Sequence, residues 1–318
     1  MDQLYEEVNI PTKGRGLVAR RDIRSGTRIL CERPLLILRC ASDELMHRDA
    51  CSKLRTLSRE EQRQFLSLHN NSPGRYAFAG IVKTNALPCG PGANTGGVYL
   101  KISLINHSCL PNSHNSWNDD TGREAIHARR DILAGEEITV SYDRGGPISE
   151  RHAHLQSNFG FTCQCELCTL PSEELRASDN RRRRIQELDE KLGDPFAMSM
   201  GPLVILRIHQ TLLGVLNEEY GPHNTPALAR LYYGACQIVI AHGDQARATV
   251  FAKRSYKARA GCEGEDSPDT KEIKGFMDNS ASHPCFALVS KRWRTSKTSQ
   301  PRQLDEDEFE KWLWRYQN

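Results

Sequence analysis

The sequence predicts an α+β protein in which a β-rich first half is followed by an α-helical second half. Two patterns support this fold class. Short apolar segments bounded by glycine turns fill residues 14–38 and 98–143, which is typical of strands. After Cys168, apolar residues instead recur at the three- and four-residue spacing of helices. The change between the two patterns falls at a cysteine-rich segment.

Length and composition allow about two domains and no membrane segment. With 318 residues and 38% hydrophobic content, the chain can bury a sizeable core. No apolar run approaches the ~20 residues that a membrane helix needs, and the acidic start, Met1–Glu7, lacks the apolar core of a secretion signal. We therefore expect the 11 cysteines to be reduced thiols, some bound to metal, in a protein of the cytoplasm, the nucleus or both.

The charges are nearly balanced, with 43 basic and 40 acidic residues and a net charge of +3. This balance gives no strong indication of nucleic-acid binding, and it leaves both the partner and the oligomeric state open. The one dense basic run in the sequence is Arg181–Arg184. We interpret it as a solvated helix start or linker, in preference to a nuclear or phosphate-binding signal.

Strand candidates in the first half fall into two groups. They are Leu17–Ala19, Ile29–Leu30 and Leu35–Leu38, and then Val98–Leu100, Ala125–Ala128 and Ile138–Val140. The segment Gly14-Arg15-Gly16 reads as a turn before the first strand. Between the two groups, residues 42–75 predict a helical insertion, in which Ser58 and Glu61 have the spacing of a capping box.

The second half predicts a series of helices. These are Arg182–Leu192, Leu203–Tyr220, Thr225–His242 and Ala246–Arg259, with a final amphipathic helix marked by Phe309, Trp312, Leu313 and Tyr316. Paired helices of this length look like tetratricopeptide-type (TPR-like) hairpins. Because no clean 34-residue period recurs, an ordinary helical bundle remains the alternative.

A zinc site is predicted by the spacing of three cysteines, Cys163, Cys165 and Cys168. They are too close for easy disulfides with one another, and they are one ligand short of a tetrahedral zinc site. Cys109 is the candidate for the fourth ligand. Four sulfurs leave no open coordination position, so this Zn²⁺ would be structural. For the remaining cysteines we expect free buried thiols: Cys31, Cys40, Cys51, Cys89, Cys236, Cys262 and Cys285.

Four motifs follow one another along the chain. They are Gly14-Arg15-Gly16-Leu17, Asn106-His107-Ser108-Cys109-x-Pro111-Asn112, Gly135-Glu136-Glu137-Ile138-x-x-x-Tyr142 and the CxCxxC cluster that ends at Cys168. In this order they resemble the SET-domain protein lysine methyltransferases, above all the SET and MYND domain branch and its fungal relatives. The resemblance covers about residues 14–170. Between Cys40 and Asn85 the sequence has no MYND-type array of zinc ligands.

The resemblance implies a particular architecture. It implies a SET β-clip fold with a pseudoknot-like crossing, where the segments of Asn106 and Tyr142 meet. The domains would be a SET domain over residues 1–145, a post-SET zinc segment over 146–170 and an α-helical, TPR-like region over 171–318.

The resemblance also implies an activity, a cofactor and a site. The protein would transfer a methyl group from S-adenosylmethionine to a lysine amine of a protein substrate, with histones among the candidates. The cofactor would be contacted by Arg15, Gly16, Asn85, Asn106, His107, Tyr142 and Phe161. Tyr142 would be catalytic and Phe159 would line the substrate channel, at a place where many relatives carry a second aromatic hydroxyl.

The chemistry of methyl transfer suits these residue types, although each has a simpler explanation. In-line displacement needs a neutral amine aimed at the donor methyl, and a tyrosine hydroxyl such as that of Tyr142 can orient it. The alternatives are an ordinary β-turn for Arg15-Gly16, a surface turn for Asn106-His107 and core packing for Tyr142 and Phe161. The surrounding motifs favour the functional interpretation for Asn106-His107 and for Tyr142.

Two other functions remain open from the sequence. The SET half could be silent, with the helical half serving as a peptide-binding module. Alternatively, the scaffold could act on a small metabolite, because a fold does not fix a function.

Overall fold

The computed structural model describes residues 3–143, 145–194 and 201–315. The chain divides into two compact units, Met1–Leu170 and Pro171–Asn318. In the described residues the first unit combines strands and helices and the second is helical, which confirms the predicted α+β class.

Strands dominate the first unit. They are β1 (Tyr5–Ile10), β2 (Gly14–Ala19), β3 (Arg28–Glu32), β4 (Leu36–Arg39), β5 (Leu87–Pro88), β6 (Thr95–Val98), β7 (Asn106–His107), β8 (Ser113–Asn118), β9 (Arg123–Ala128) and β10 (Glu137–Val140). The helices are α1 (Asp43–Leu54), α2 (Arg59–Leu66), α3 (Ala77–Asn85) and α4 (Ile148–Phe159). Over the described residues the strands form three sheets, with the orders β1-β2-β10-β7, β3-β9-β8 and β4-β6-β5.

The strand β10 lies between β2 and β7. It runs antiparallel to β2 and parallel to β7, with Thr139 opposite Asn106 and Val140 opposite His107. The two motif segments therefore lie side by side, as the resemblance implied.

Asn112 anchors the Asn106–Asn112 motif to β10 through hydrogen bonds. Its Oδ1 accepts a 2.9 Å hydrogen bond from the Thr139 backbone, and its Nδ2 donates to the Glu137 carbonyl at 2.8 Å and to Glu136 Oε1 at 2.9 Å. Ser113 adds a 2.8 Å bond to the Thr139 carbonyl. Asn112 thus satisfies backbone groups at the edge of β10 with one buried amide, which explains why this position carries an asparagine.

The first hairpin differs from the sequence prediction. Gly14-Arg15-Gly16 opens the strand β2, whereas the turn lies at Pro11–Lys13. The strand β1, which we did not predict, pairs with β2 so that Val8 faces Gly16. The sequence did not reveal this strand because two of its six residues are acidic and only Tyr5 is buried.

The helical insertion is confirmed, but its extent was underestimated. The Ser58 hydroxyl accepts from the Glu61 backbone at 3.2 Å, and the Glu61 carboxylate accepts from the Ser58 backbone at 2.9 Å, so α2 begins with the predicted capping box. The insertion continues past residue 75 through α3. This helix packs closely against the preceding loop, since a β-carbon at Gly80 would lie only 2.4 Å from Asn70 Oδ1.

Three of the four full-length helices predicted in the second unit are longer than predicted, and the third, predicted at Thr225–His242, is two residues shorter. They are α5 (Ser172–Gly193), α6 (Pro202–Tyr220), α7 (Pro226–Ala241), α8 (Gln245–Glu263), α9 (Pro268–Asp278) and α10 (Glu306–Leu313). From α5 to α9, each helix packs on the next, which fits TPR-like hairpins. The helix α9 was not predicted, and α10 is the predicted amphipathic helix, although Tyr316 lies outside the described residues.

The basic run of α5 is only partly solvated. Arg181 and Arg182 donate to the two carboxylate oxygens of Glu219 at 2.9 and 2.5 Å, and both Arg182 and Glu219 are buried. Arg183 and Arg184 bond to exposed partners on their own helix. The interpretation of this run as a solvated helix start or linker is therefore wrong in location, since the run lies in the middle of α5, and only Arg183 and Arg184 are exposed.

The cysteines outside the CxCxxC cluster and Cys109 are free thiols, as expected. Only Cys236 and Cys262 among them are buried; Cys40 is exposed and the other four are partly exposed. The expectation of burial was wrong for those five, because Cys31 and Cys51 lie on partly exposed positions of β3 and α1, and the others lie in connecting segments. Among the described helices, none combines the length and hydropathy that crossing a bilayer requires.

Candidate functional site

A cavity of about 710 Å³ lies in the first unit, within the range of ~300–1,000 Å³ that is typical of ligand sites. Its lining brings together the predicted residues Arg15, Asn85, Asn106, His107, Tyr142, Phe159 and Phe161. Cys163 and Cys165 of the predicted zinc site also line it. Gly16 does not; it lies under the wall of the cavity, against the Asn106 side chain.

Tyr142 is held at both ends by the neighbouring motif segment. Its hydroxyl donates a 2.6 Å hydrogen bond to the Ile105 carbonyl, and its backbone N–H donates to Nδ1 of His107 at 2.9 Å. Burial raises the pKa of the Tyr142 phenol, and the negative charge of Glu137 acts in the same direction. The hydroxyl is therefore neutral at physiological pH.

Asn106 has a fixed amide orientation. Its Nδ2 donates to the Arg15 carbonyl at 3.2 Å and to Glu137 Oε1 at 3.0 Å. The other oxygen of Glu137 accepts from Lys13 Nζ at 2.6 Å. The second glutamate of the Gly-Glu-Glu motif thus serves as the acceptor that orients Asn106, while the first, Glu136, bonds Asn112.

Arg15 joins the first hairpin to the insertion. Its guanidinium pairs with Glu7 at 3.1 Å and donates to the carbonyl and hydroxyl oxygens of Ser67 at 2.6 and 3.1 Å. Arg15 therefore lines the cavity while its charge is already shared with Glu7.

Asn85 supports a loop of the insertion. At the end of α3, its Nδ2 donates to the carbonyls of His69 and Ile81, both at 2.7 Å. His69 and Asn71 of this loop line the cavity, although the sequence had not singled them out. They belong to a polar stretch without a motif, so no sequence signal marks them.

Two aromatic residues enter the cavity where α4 ends. Gly160 adopts a left-handed conformation (φ 73°) that ends the helix between Phe159 and Phe161. The Phe159 ring lies 4.8 Å from that of Tyr142, and the Phe161 ring lies 6.1 Å from the imidazole of His107, measured between centroids. A glycine turn therefore places both rings on the same cavity.

The four predicted zinc ligands converge. The sulfur of Cys109 lies 3.9 Å from that of Cys163 and 3.6 Å from that of Cys168, and all four sulfurs lie within 4.8 Å of one another. Tetrahedral zinc with bonds of ~2.3 Å places its sulfurs about 3.8 Å apart. The arrangement fits a structural Zn²⁺.

A buried arginine next to the thiols was missed by the sequence reasoning. Arg151 is fully buried, donates to the Gly146 carbonyl at 2.6 Å and contacts the sulfur of Cys168 at 3.7 Å. The Cys109 thiol lowers the pKa of Cys168 to about 6, and Arg151 acts in the same direction. In the sequence, Arg151 looks like any surface arginine of a polar helix, so only the fold reveals its position.

A second group of metal-binding side chains overlaps the first. Nε2 of His107 lies 3.2 Å from the Cys109 sulfur and 3.4 Å from Oδ2 of Asp143, whose side chain is 3% exposed. Among the described residues, this triad and the four cysteines are the groups that could hold a metal, and they share Cys109.

Comparison with known proteins agrees with this fold. The sequence profile of the SET domain matches residues 14–143. The histone-lysine N-methyltransferase set5 of Schizosaccharomyces pombe is 34% identical over 284 residues, which cover 88% of this chain and 86% of the yeast protein. The chain therefore belongs to the SET-domain family, and it is a methyltransferase.

Shorter matches point to the SET and MYND branch. The protein-lysine N-trimethyltransferase SMYD5 of Gallus gallus is 31% identical over 108 residues, which are 31% of this chain and 26% of that protein. A SET and MYND domain-containing protein of Dictyostelium discoideum is 38% identical over 73 residues, 23% of this chain and 21% of that protein.

Proposed function

We propose that this protein is an S-adenosylmethionine-dependent protein lysine N-methyltransferase. The convergence of Tyr142, Asn106, His107 and Phe161 on one cavity is the observation that carries this proposal. The names of the relatives add support, since set5 is a histone-lysine and SMYD5 a protein-lysine methyltransferase. Residues 1–145 would form the SET domain, 146–170 the zinc segment and 171–318 a TPR-like region.

The cavity offers suitable partners for the cofactor. S-adenosylmethionine, when bound, supplies an electrophilic methyl group on a sulfonium. The Phe161 ring would stack on its adenine, and the Asn106 side chain and His107 backbone would bind its polar groups. The fixed amide of Asn106, already bonded to Glu137, lowers the entropy lost on binding.

Tyr142 would act on the acceptor amine. Because its hydroxyl proton is donated to the Ile105 carbonyl, its oxygen presents lone pairs to the reacting groups. Such an acceptor can orient the neutral amine of lysine for in-line attack. The Phe159 ring, 4.8 Å from Tyr142, would form an apolar wall of the lysine channel that carries no second hydroxyl.

Cys109, Cys163, Cys165 and Cys168 would hold the structural Zn²⁺. Cys109 adjoins the cofactor-facing Asn106-His107 pair, and Cys163 follows Phe161 by two residues. The metal would thereby fix two walls of the cavity relative to each other.

The acceptor would be a lysine of a histone or of another protein, methylated in the nucleus or the cytoplasm. This proposal extends to this chain the activities that the names of set5 and SMYD5 state for those proteins.

The test is transfer of radiolabelled methyl from S-adenosylmethionine by the full-length, zinc-loaded protein to histones and to cell-extract proteins. We expect labelled protein, and Tyr142→Phe should reduce kcat about 100- to 1,000-fold. Tyr233→Phe is the matched control, because it removes a hydroxyl that bonds His283 in the second unit. An active Tyr142→Phe enzyme would contradict the role of Tyr142.

The same experiment separates the alternatives. Calorimetry that detects no S-adenosylmethionine binding would favour a silent interaction module. Label that accumulates only in a small, non-protein product would favour a metabolic enzyme.

A further inference from the structure

We infer that the imidazole of His107 is a positioning group that connects the metal-binding sulfur of Cys109 to Tyr142. This inference deepens the proposed function and rests on it, because it assigns the side chain of His107 a task separate from the cofactor contact of its backbone. Three atoms in hydrogen-bond reach of one ring carry it: the Tyr142 nitrogen, the Cys109 sulfur and an Asp143 oxygen.

The hydrogen bond from the Tyr142 backbone determines which nitrogen of the His107 imidazole carries the proton. A backbone N–H can only donate, so the 2.9 Å bond from Tyr142 requires an unprotonated Nδ1 on His107. The neutral imidazole then carries its proton on Nε2. The tautomer thus follows from the hydrogen bond alone.

On the other side of the ring, the Nε2–H group is directed toward Cys109, the predicted metal ligand. Nε2 lies 3.2 Å from the Cys109 sulfur and 3.4 Å from Oδ2 of Asp143, so its N–H is within reach of both acceptors. The side chains of His107 and Asp143 are 1% and 3% exposed, which excludes competition from bulk water. Hydrogen bonds of this kind to metal ligands typically tune metal affinity.

The two ends together form a continuous path from metal to reacting group. Zinc bound to Cys109 would hold its sulfur against Nε2–H, and the opposite side of the same rigid ring would hold the Tyr142 backbone. The Tyr142 hydroxyl is separately fixed on the Ile105 carbonyl. Loss of the metal should therefore loosen the Tyr142 backbone, and the imidazole should be required for this effect.

Two substitutions test the roles of Nδ1 and Nε2 of His107 separately. In His107→Asn, the amide oxygen can replace Nδ1 as the acceptor for Tyr142, but nothing replaces Nε2–H. In His107→Gln, the longer amide can donate toward Cys109, but the acceptor for Tyr142 is lost. The same two substitutions at His209 are the matched control, because this imidazole is also buried and bonds the Ile205 carbonyl in the second unit.

The measurements are zinc affinity by chelator competition, the absorption of the Co²⁺-loaded protein, and hydrogen exchange at the Tyr142 amide with and without zinc. We expect His107→Asn to lower zinc affinity about 10- to 100-fold and to shift the thiolate-to-cobalt absorption. His107→Gln should keep zinc affinity near that of the wild type and accelerate exchange at Tyr142. In the wild type zinc should slow this exchange, and His107→Asn should abolish the dependence on zinc.

Unchanged zinc affinity and cobalt absorption in His107→Asn, or equal slowing by zinc in both proteins, would overturn the inference. So would a wild-type protein that binds no metal. None of these measurements needs a methyl acceptor. If the wild type and the variants give the expected zinc and exchange results but the wild type methylates no protein, the proposed function is refuted and the connection through His107 stands. If the wild type methylates protein but the zinc and exchange results differ from those expected, the connection is refuted and the proposed function stands.

Discussion

Gly16 and Asn106 face each other so closely that no side chain fits between them. A β-carbon at position 16 would lie 2.8 Å from Nδ2 of Asn106 and 2.7 Å from Cγ1 of Ile10. Gly16 therefore supports the cofactor cavity indirectly, by leaving room for the Asn106 amide to reach Glu137 and the Arg15 carbonyl.

Gly16→Ala should displace Asn106 and weaken binding of S-adenosylmethionine, which calorimetry would measure. Overpacking at this buried position should also lower the free energy of unfolding by about 1–3 kcal/mol. Gly214→Ala is the control, because its β-carbon would meet no atom within 4 Å and the helix α6 should gain up to ~1 kcal/mol. Cofactor affinity that survives in Gly16→Ala would show that the position of Asn106 is not needed for binding.

Cys109→Ser should reduce both the zinc content and the affinity for S-adenosylmethionine. The reason is that Cys109 shares one short segment with Asn106 and His107, which line the cavity. Elemental analysis and calorimetry on the same preparation would measure the two effects. Cys31→Ser, a free thiol of the first unit outside the cluster, should change neither. Intact cofactor affinity in a metal-free Cys109→Ser protein would refute this coupling.

Arg151→Met should lower zinc affinity about 10- to 100-fold, because it removes the buried cation beside the thiolates. Arg151→Lys should lose less, since it keeps the charge without the planar guanidinium. Competition with a chromophoric chelator measures both. Arg182→Met serves as the control: it also removes a buried cation, paired with Glu219 in the second unit, and zinc affinity should not change. Equal zinc affinity in Arg151→Met and the wild type would exclude an electrostatic role for Arg151.

Glu124 should make the stability of the first unit depend on pH. Its side chain is buried (1% exposed), and burial raises its pKa from 4.5 to about 7. A 3.0 Å hydrogen bond donated by Asn115 lowers the pKa, but by less than burial raises it. Folding therefore favours the protonated form. The contribution of Glu124 to the free energy of unfolding is fully present below pH ~4.5 and is lost as the pH rises through about 7. The total loss corresponds to roughly 3 kcal/mol.

Denaturant titrations at pH 5 and pH 8 would test this prediction. Glu124→Gln should remove most of the difference between the two pH values, whereas Glu190→Gln, at an exposed position of α5, should preserve it. A wild type and a Glu124→Gln variant with the same pH dependence would show that Glu124 is ionised in the folded protein.

The site was largely predictable because its chemistry is concentrated in short motifs. The spacing of the cysteines predicts the metal site, the resemblance of the motifs to the SET family points to Asn106-His107 and Tyr142, and the fold brings these segments to one cavity. Arg151 could not be predicted, since its role depends on the tertiary position of a helix whose sequence is otherwise polar. The same holds for the imidazole of His107, whose partners are set by the pairing of β7 with β10.

The limits of the fold prediction have a similar cause. The strand β1 begins with an acidic pair after Tyr5 and lacks regular alternation, yet it forms because β2 offers it a complete ladder from Tyr5 to Ile10. The helix α3 contains Gly80 and β-branched residues that disfavour helices, but Gly80 lets the loop of Asn70 pack directly against it. In both segments, long-range contacts override local propensity.

During synthesis on the ribosome, the sheet that contains β2 cannot be completed before β10 is made. Until Glu137 and Ile138 are synthesised, the edge of β2 has no partner on that side, although β2 itself was made about 120 residues earlier. At ~5–20 residues per second, this interval lasts on the order of ten seconds. An unpaired strand edge is a template for wrong pairing. A chain that stops before Glu137 should therefore expose this edge of β2 and be more prone to aggregate than the full chain.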